Sequence, residues 1–123
     1  MPTRALVSII EDDQIVSAAL VDLVQSLGFS AAAFASAEEY LLAGLFPVTS
    51  CLIVDLRLPG MSGADLQDNM IAEGGRIPII FVTAVCNDMM RARLLKRGAI
   101  GVLGKPFDES LLIECLHEAI RKL

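Results

Sequence analysis

Six side chains in this sequence carry groups that could do chemistry together: the acids Glu11, Asp12, Asp13 and Asp55, the hydroxyl of Thr83 and the amine of Lys105. Each closely follows a short apolar run. If those runs are strands of one parallel sheet, whatever follows them shares the crevice beyond their carboxyl ends. Acids gathered there repel and raise one another's pKa values, a cost that a hard divalent cation with oxygen ligands relieves, and Mg²⁺ is the natural candidate. A lysine at that edge can neutralise oxygens of a transferred phosphoryl group, and a threonine hydroxyl can hydrogen-bond one of them. Asp55 is left as a nucleophile able to form an acyl phosphate.

The elements that must position these groups are legible as five βα units. Short apolar runs alternate with longer segments of helical period, the pattern of a buried parallel sheet. The first run, 5–10, leads into a helix over 14–27, where Ile15, Ala19, Leu20, Leu23, Val24 and Leu27 recur at steps of three and four, and Gly28 ends it. A strand at 30–35 precedes the capping-box sequence Ser36-Ala37-Glu38-Glu39 and a short helix to about Ala43; a loop surrounds Pro47. The third strand is 51–54, and after the turn residues Pro59 and Gly60 a helix opens on Ser62 as N-cap and closes at Gly74 and Gly75. The remaining units are a strand at 77–82, a helix at 87–97 ended by Gly98, a strand at 100–103, and a helix capped by Asp108 that runs to the C-terminus. That last helix carries Leu112, Leu116, Ala119 and Leu123 on one stripe, with Glu114, His117, Glu118 and Arg121 on another.

With 123 residues, 54% of them hydrophobic, the chain has material for one compact domain, read as spanning 1–123. A formal net charge of -5 gives no overall field that draws it to DNA or an anionic membrane, so neither direct nucleic-acid binding nor membrane attachment is expected. Cys51, Cys86 and Cys115 form no CxxC and no even set, which argues against a disulfide framework or zinc site and for a reducing, cytoplasmic setting. Cys51 and Cys115 are expected to pack inside and Cys86 to be partly exposed, while the five methionines are expected to fill core space.

Taken together, Ile9-Ile10-Glu11-Asp12-Asp13, the stretch from Leu52-Ile53-Val54-Asp55 to Pro59-Gly60-Met61-Ser62-Gly63, Phe81-Val82-Thr83-Ala84, Gly98-Ala99 and Lys105-Pro106-Phe107 resemble the response-regulator receiver domains of two-component signalling, over essentially the whole chain. The resemblance implies an α/β, doubly wound five-stranded parallel sheet of order 2-1-3-4-5, a flavodoxin-like three-layer sandwich. It implies that Asp55 accepts a phosphoryl group from a sensor histidine kinase, that Glu11, Asp12, Asp55 and the backbone carbonyl of Arg57 hold Mg²⁺, that Thr83 and Lys105 bind phosphoryl oxygens, and that the Lys105-Pro106 peptide is cis. Catalysis would be limited to the chain's own phosphorylation and slow dephosphorylation, so the domain is not expected to be an enzyme in its own right. Asp-Leu-Arg-Leu-Pro-Gly-Met-Ser-Gly is similar to receivers of the nitrogen-fixation and LuxR-type transcriptional regulators, which implies control of transcription through a further domain beyond these residues. A homodimer through the fourth helix, fifth strand and fifth helix is the partner surface such relatives suggest. The basic residues Arg91, Arg93, Lys96 and Arg97 on one helix could pair with acids there.

One position departs from the family pattern. Three residues before Lys105, where an aromatic ring usually turns inward with the threonine, stands Val102; Val85 is likewise apolar where polar residues are common. The expected consequence is an output carried by the loop after the fourth strand and the helix that follows. Three other readings compete. A haloacid-dehalogenase-type phosphatase needs a second acid where Arg57 stands, and a flavodoxin needs a Ser/Thr/Gly phosphate loop where Glu11-Asp12-Asp13 would repel phosphate. The third is a pseudo-receiver acting as a phosphorylation-independent interaction module. Taken singly, Asp13 reads as a solvated surface charge and His117 as an exposed residue of the polar stripe.

Overall fold

A computed structural model describes residues 4–85 and 87–121. Five parallel strands, β1 (Leu6–Ile10), β2 (Ser30–Phe34), β3 (Cys51–Asp55), β4 (Ile79–Thr83) and β5 (Gly101–Gly104), pair in the order β2-β1-β3-β4-β5. Between and after them run α1 (Gln14–Ser26), α2 (Ala37–Ala43), α3 (Gly63–Ala72), α4 (Asp88–Lys96) and α5 (Glu109–Arg121), with a short 3-10 turn at Phe46–Val48. This is the doubly wound, flavodoxin-like order read from the sequence.

Strand side chains alternate between faces, so one sheet feeds two cores. On one face Val7, Ile9, Ile53 and Ile80 pack with Leu20 and Val24 of α1 and Leu112, Leu116 and Ala119 of α5. On the other, Ile10, Leu52, Val54 and Phe81 pack with Tyr40 of α2, Leu66 and Met70 of α3 and Leu94 of α4. β3 is buried along its whole length because it is covered on both faces. Truncating Ile53 to Ala, by analogy with other core cavities, costs about 2–5 kcal/mol.

Several boundaries and faces differ from expectation for identifiable reasons. β4 starts at Ile79 and reaches Thr83; Pro78 has no N–H for the ladder, although its carbonyl still accepts from Leu52 N at 2.9 Å. β5 is likewise displaced to Gly101–Gly104. On α1, Ile15 is 83% exposed instead of core-facing. It stands five residues before Leu20, about 140° around the helix, and Ala19 is exposed as well; Val16 takes the inward place. Of the methionines, Met70 is buried but Met89 is 84% exposed, so core filling describes only some of them. Cys51 is buried, and burial pushes its thiol up to about 12, which leaves it unreactive. Cys115 is half-buried. The expectations for Cys86 and Leu123 lie outside the described residues.

The predicted caps are largely in place. Ser36 Oγ accepts from Glu39 N, but Glu39 reaches back to Ala35 N, one residue earlier than a capping box requires. Ser62 and Asp65 form a full capping box on α3. Asp13 is not a mere solvated charge: its Oδ1 accepts from Ile15 N and Val16 N, making it the N-cap of α1.

Candidate functional site

Register brings the acids together. Ile10 pairs with Val54 across β1 and β3, so Glu11 and Asp55, each one residue further on, leave the same sheet edge side by side. Thr83 ends β4, one residue beyond Val82, the partner of Asp55. Lys105 follows β5 and is anchored by its N–H to the Thr83 carbonyl at 2.8 Å. The Lys105–Pro106 peptide is cis.

Carboxylate oxygens of Glu11, Asp12 and Asp55 lie within 4.8 Å of one another. Lys105 Nζ stands 2.5 Å from Glu11 Oε1 and 3.0 Å from Asp55 Oδ2. The other Asp55 oxygen, Oδ1, accepts from Arg57 N at 3.0 Å, which fixes the carboxylate plane. Glu11 and Asp55 are buried and Asp12 is exposed, so the cluster has one wet side. Burial raises the Glu11 pKa from 4.5 to about 7; Lys105 and the Asp13 N–H work against that shift, and Asp55 adds to it. For Lys105, burial acts downward, but the carboxylates of Glu11 and Asp55 outweigh it and hold the amine above its ordinary value.

Three carboxylates face one ammonium, an all-oxygen donor set with an excess of negative charge and an open side. This fits a hard divalent ion such as Mg²⁺, which binds through a few carboxylates and keeps waters. Asp13 stands outside the cluster as a cap, although its N–H donates to Glu11 Oε2 at 3.1 Å and so orients the buried acid.

Thr83 sits at the same edge with its hydroxyl engaged by its own loop: Oγ1 donates to Val85 O at 3.0 Å and accepts from Val85 N at 3.3 Å. Val102 is buried against the face that holds Phe81, and its carbonyl accepts from the Arg91 guanidinium of α4. Arg97 is committed elsewhere, to Asp68 of α3 at 2.5 Å, rather than to the β5 side.

Two supporting residues escape sequence reasoning. Glu38 Oε2 accepts from Met61 N at 2.8 Å, tying α2 to the loop after Asp55. Gly63 reads as a turn residue, yet a Cβ there would lie 2.7 Å from the Asp55 carbonyl oxygen and 3.0 Å from Leu56 Cα. Gly63 is visible only as part of the turn stretch Pro59-Gly60-Met61-Ser62-Gly63, and Glu38 only as part of the helix-opening Ser36-Ala37-Glu38-Glu39.

The site's composition agrees with comparison to known proteins. The model of the response regulator receiver domain family matches residues 7–117. Nodulation protein W of Bradyrhizobium diazoefficiens is 39% identical over 120 residues, covering 98% of this chain and 53% of that protein. Response regulator protein TodT of Pseudomonas putida is 37% identical over 122 residues, covering 98% and 54%. Among solved structures, response regulator StyR superposes with a TM-score of 0.85 at 34% identity, over 97% of this chain and 60% of that one. FixJ-N gives 0.84 at 30% identity, over 99% and 98%. The chain thus spans about half the length of the curated relatives it matches. On its matched residues, its strand order and its acidic edge, it belongs to the response regulator receiver domain family.

Proposed function

We propose that Asp55 is the phosphoryl acceptor of a two-component relay, with a sensor histidine kinase as donor. The observation that carries this reading is the juxtaposition of Asp55 with Glu11, Asp12 and Lys105, a carboxylate oxygen cluster within 4.8 Å and an ammonium 3.0 Å from Asp55 Oδ2. Mg²⁺, held by Glu11, Asp12, Asp55 and the Arg57 carbonyl, would supply charge neutralisation for the incoming phosphoryl group. Asp55 attacks phosphorus through a carboxylate oxygen while the Arg57 N–H holds the other oxygen in place. The donor imidazole leaves with its electron pair, and an aspartyl phosphate remains. Lys105 then pairs with a phosphoryl oxygen, and the Thr83 hydroxyl, by leaving Val85, can bond another.

Catalysis by the chain is confined to its own phosphorylation and slow hydrolysis of the acyl phosphate. The reading sets the domain in the cytoplasm, as a switch whose two conformers bind partners differently and control transcription through a further domain. The helix α4, strand β5 and helix α5 form its candidate surface for a second copy; no helix among the described residues is long and apolar enough to cross a membrane. Incubation with Mg²⁺ and acetyl phosphate should give a single phosphoryl mass adduct that Asp55→Asn abolishes. Absence of an Asp55-dependent adduct, with kinase donors also failing, would instead support a phosphorylation-independent interaction module.

A further inference from the structure

A cleft runs between α3 and α4, on the side of α4 turned away from β5. One part, about 400 Å³, is lined by Leu56, Met90, Arg93 and Leu94 near the Asp55 edge, and by Asp65 and Asp68 of α3, the first engaged in the capping box of its own helix and the second paired with Arg97. The other, about 580 Å³, is lined by Met70, Ile71, Arg76, Ile77 and Ile100 toward the opposite edge of the sheet. Gln67 and Arg97 line both, so the two parts adjoin. Met90, Arg93, Leu94 and Arg97 fall at steps of three, one and three along α4, a single helical face.

Three features of this cleft ask for a ligand. Gln67 is 2% exposed; its Nε2 donates to the Leu94 carbonyl, while its Oε1 is buried without a partner. Turning the amide over would set Oε1 against that same carbonyl, so the present orientation is the favourable one and the acceptor is left open. Arg93 projects from the rim with no ion pair found for it among the described residues, in a chain of net charge -5. Finally, α4 buries only Leu94, and its ties to α3 are polar ones, Gln67 Nε2 to the Leu94 carbonyl and Arg97 to Asp68, which a polar ligand can exchange.

We propose that the α3–α4 cleft binds a short acidic segment of a partner polypeptide. A backbone N–H of the segment donates to Gln67 Oε1, a carboxylate faces Arg93, and an aliphatic side chain lies on the exposed Ile71 or Met90. The α4 residues that line the cleft run from Met90 to Arg97, a rise of about 10 Å, which an extended stretch of about three to four residues spans. A peptide provides what the cleft lacks, an N–H donor beside a negative charge at fixed spacing; with Asp68 paired to Arg97 and Asp65 engaged in its helix cap, Arg93 is the rim charge left to meet a carboxylate. The proposal is independent of Asp55 chemistry, and each can fail without the other.

The test is amide and side-chain NMR on the ¹⁵N-labelled chain, titrated with a pool of tetrapeptides that alternate Asp or Glu with Leu, Ile, Val or Met. The expected result is saturable shifts at the Gln67 side-chain amide, the Arg93 side chain and the Leu94 amide, with the matching Asn/Gln pool at least about tenfold weaker. Arg93→Glu, an exposed change, and Gln67→Met should each weaken binding about tenfold while leaving the acetyl phosphate adduct unchanged. No shifts, shifts elsewhere, equal binding of the uncharged pool, or indifference to Arg93→Glu overturns the proposal. So does equal binding of glutarate, which would mark a small-anion site, or self-association of the chain through this cleft without peptide.

Discussion

Lys105 stands closer to Glu11 than to Asp55, 2.5 Å against 3.0 Å, so the amine is anchored first on the buried acid and only second on the proposed nucleophile. Its side chain is 18% exposed and that of Glu11 fully buried. Before any metal binds, this lysine is what offsets the charge of the cluster.

Replacing Lys105 by Met should therefore destabilise the metal-free protein by about 1–3 kcal/mol, since it leaves carboxylates buried together without their cation. Mg²⁺ should recover much of that loss by supplying charge to the same oxygens. Urea unfolding of both proteins with and without Mg²⁺ checks this; a loss that Mg²⁺ leaves untouched would mean that Lys105 acts through packing alone.

The raised Glu11 pKa fixes a pH dependence. With the folded value near 7 and the ordinary value at 4.5, the folded state holds the proton more tightly. Its contribution to stability is fully present below 4.5 and is lost as pH rises through about 7. Metal-free protein should accordingly lose unfolding free energy between about pH 4.5 and 7, the interval between those two values. Glu11→Gln should flatten the slope. Saturating Mg²⁺ should oppose it, because the ion binds the carboxylate form. Chemical denaturation at several pH values, with the variant alongside, decides the matter.

The residues of the site were legible because each sits one or two positions past an apolar run, and parallel strands turn that sequence pattern into spatial proximity. Glu11 beside Asp55 follows from the pairing of Ile10 with Val54 alone. What stayed hidden depends on contacts between elements with no sequence period in common. Glu38 holds Met61 from 23 positions away, and Arg91 reaches the Val102 carbonyl from the neighbouring helix. Ile15 shows the complementary failure: it matched a three-and-four spacing, but angle around the helix, measured from Leu20, decided its exposure.

Gly63→Ala tests a contact of that hidden kind. The added methyl would press on the Asp55 carbonyl and the Leu56 backbone, neither of which is a flexible chain end. A loss of about 1–3 kcal/mol is expected, together with slower adduct formation, because the loop carrying Arg57 must shift. Wild-type stability and rate in this variant would mean that the loop has room not apparent in its packing.

Thr83→Val removes both bonds to Val85 while keeping the shape of the buried side chain. The exposed loop can rehydrate, so a modest cost of about 0.5–1.5 kcal/mol is expected, with faster exchange of the Val85 amide. Adduct formation at Asp55 should persist, since Thr83 touches the loop and not the nucleophile before phosphorylation. Failure to form any adduct would place the hydroxyl in the transfer step itself.

With Val102 where a switching ring usually stands, the proposed phosphorylation signal needs another path out of the site, and the bonds present trace a candidate. Thr83 holds Val85, the loop leads to the Asn87 cap of α4, and Arg91, one turn on, grips the β5 edge at Val102. Displacing the Thr83 hydroxyl toward a phosphoryl group would free Val85 and let α4 move, carrying Arg91 with it. Arg91→Met should then leave the Asp55 adduct intact and cost about 1–2 kcal/mol, as befits one partly buried hydrogen bond from a charged donor. Beryllofluoride treatment should shift β5 amides, Val102 and Gly104 among them, in the parent protein, whereas in the variant shifts should stop at α4. Movement of the Phe81 or Phe107 ring signals in place of these would show that an aromatic route operates after all, from a different position.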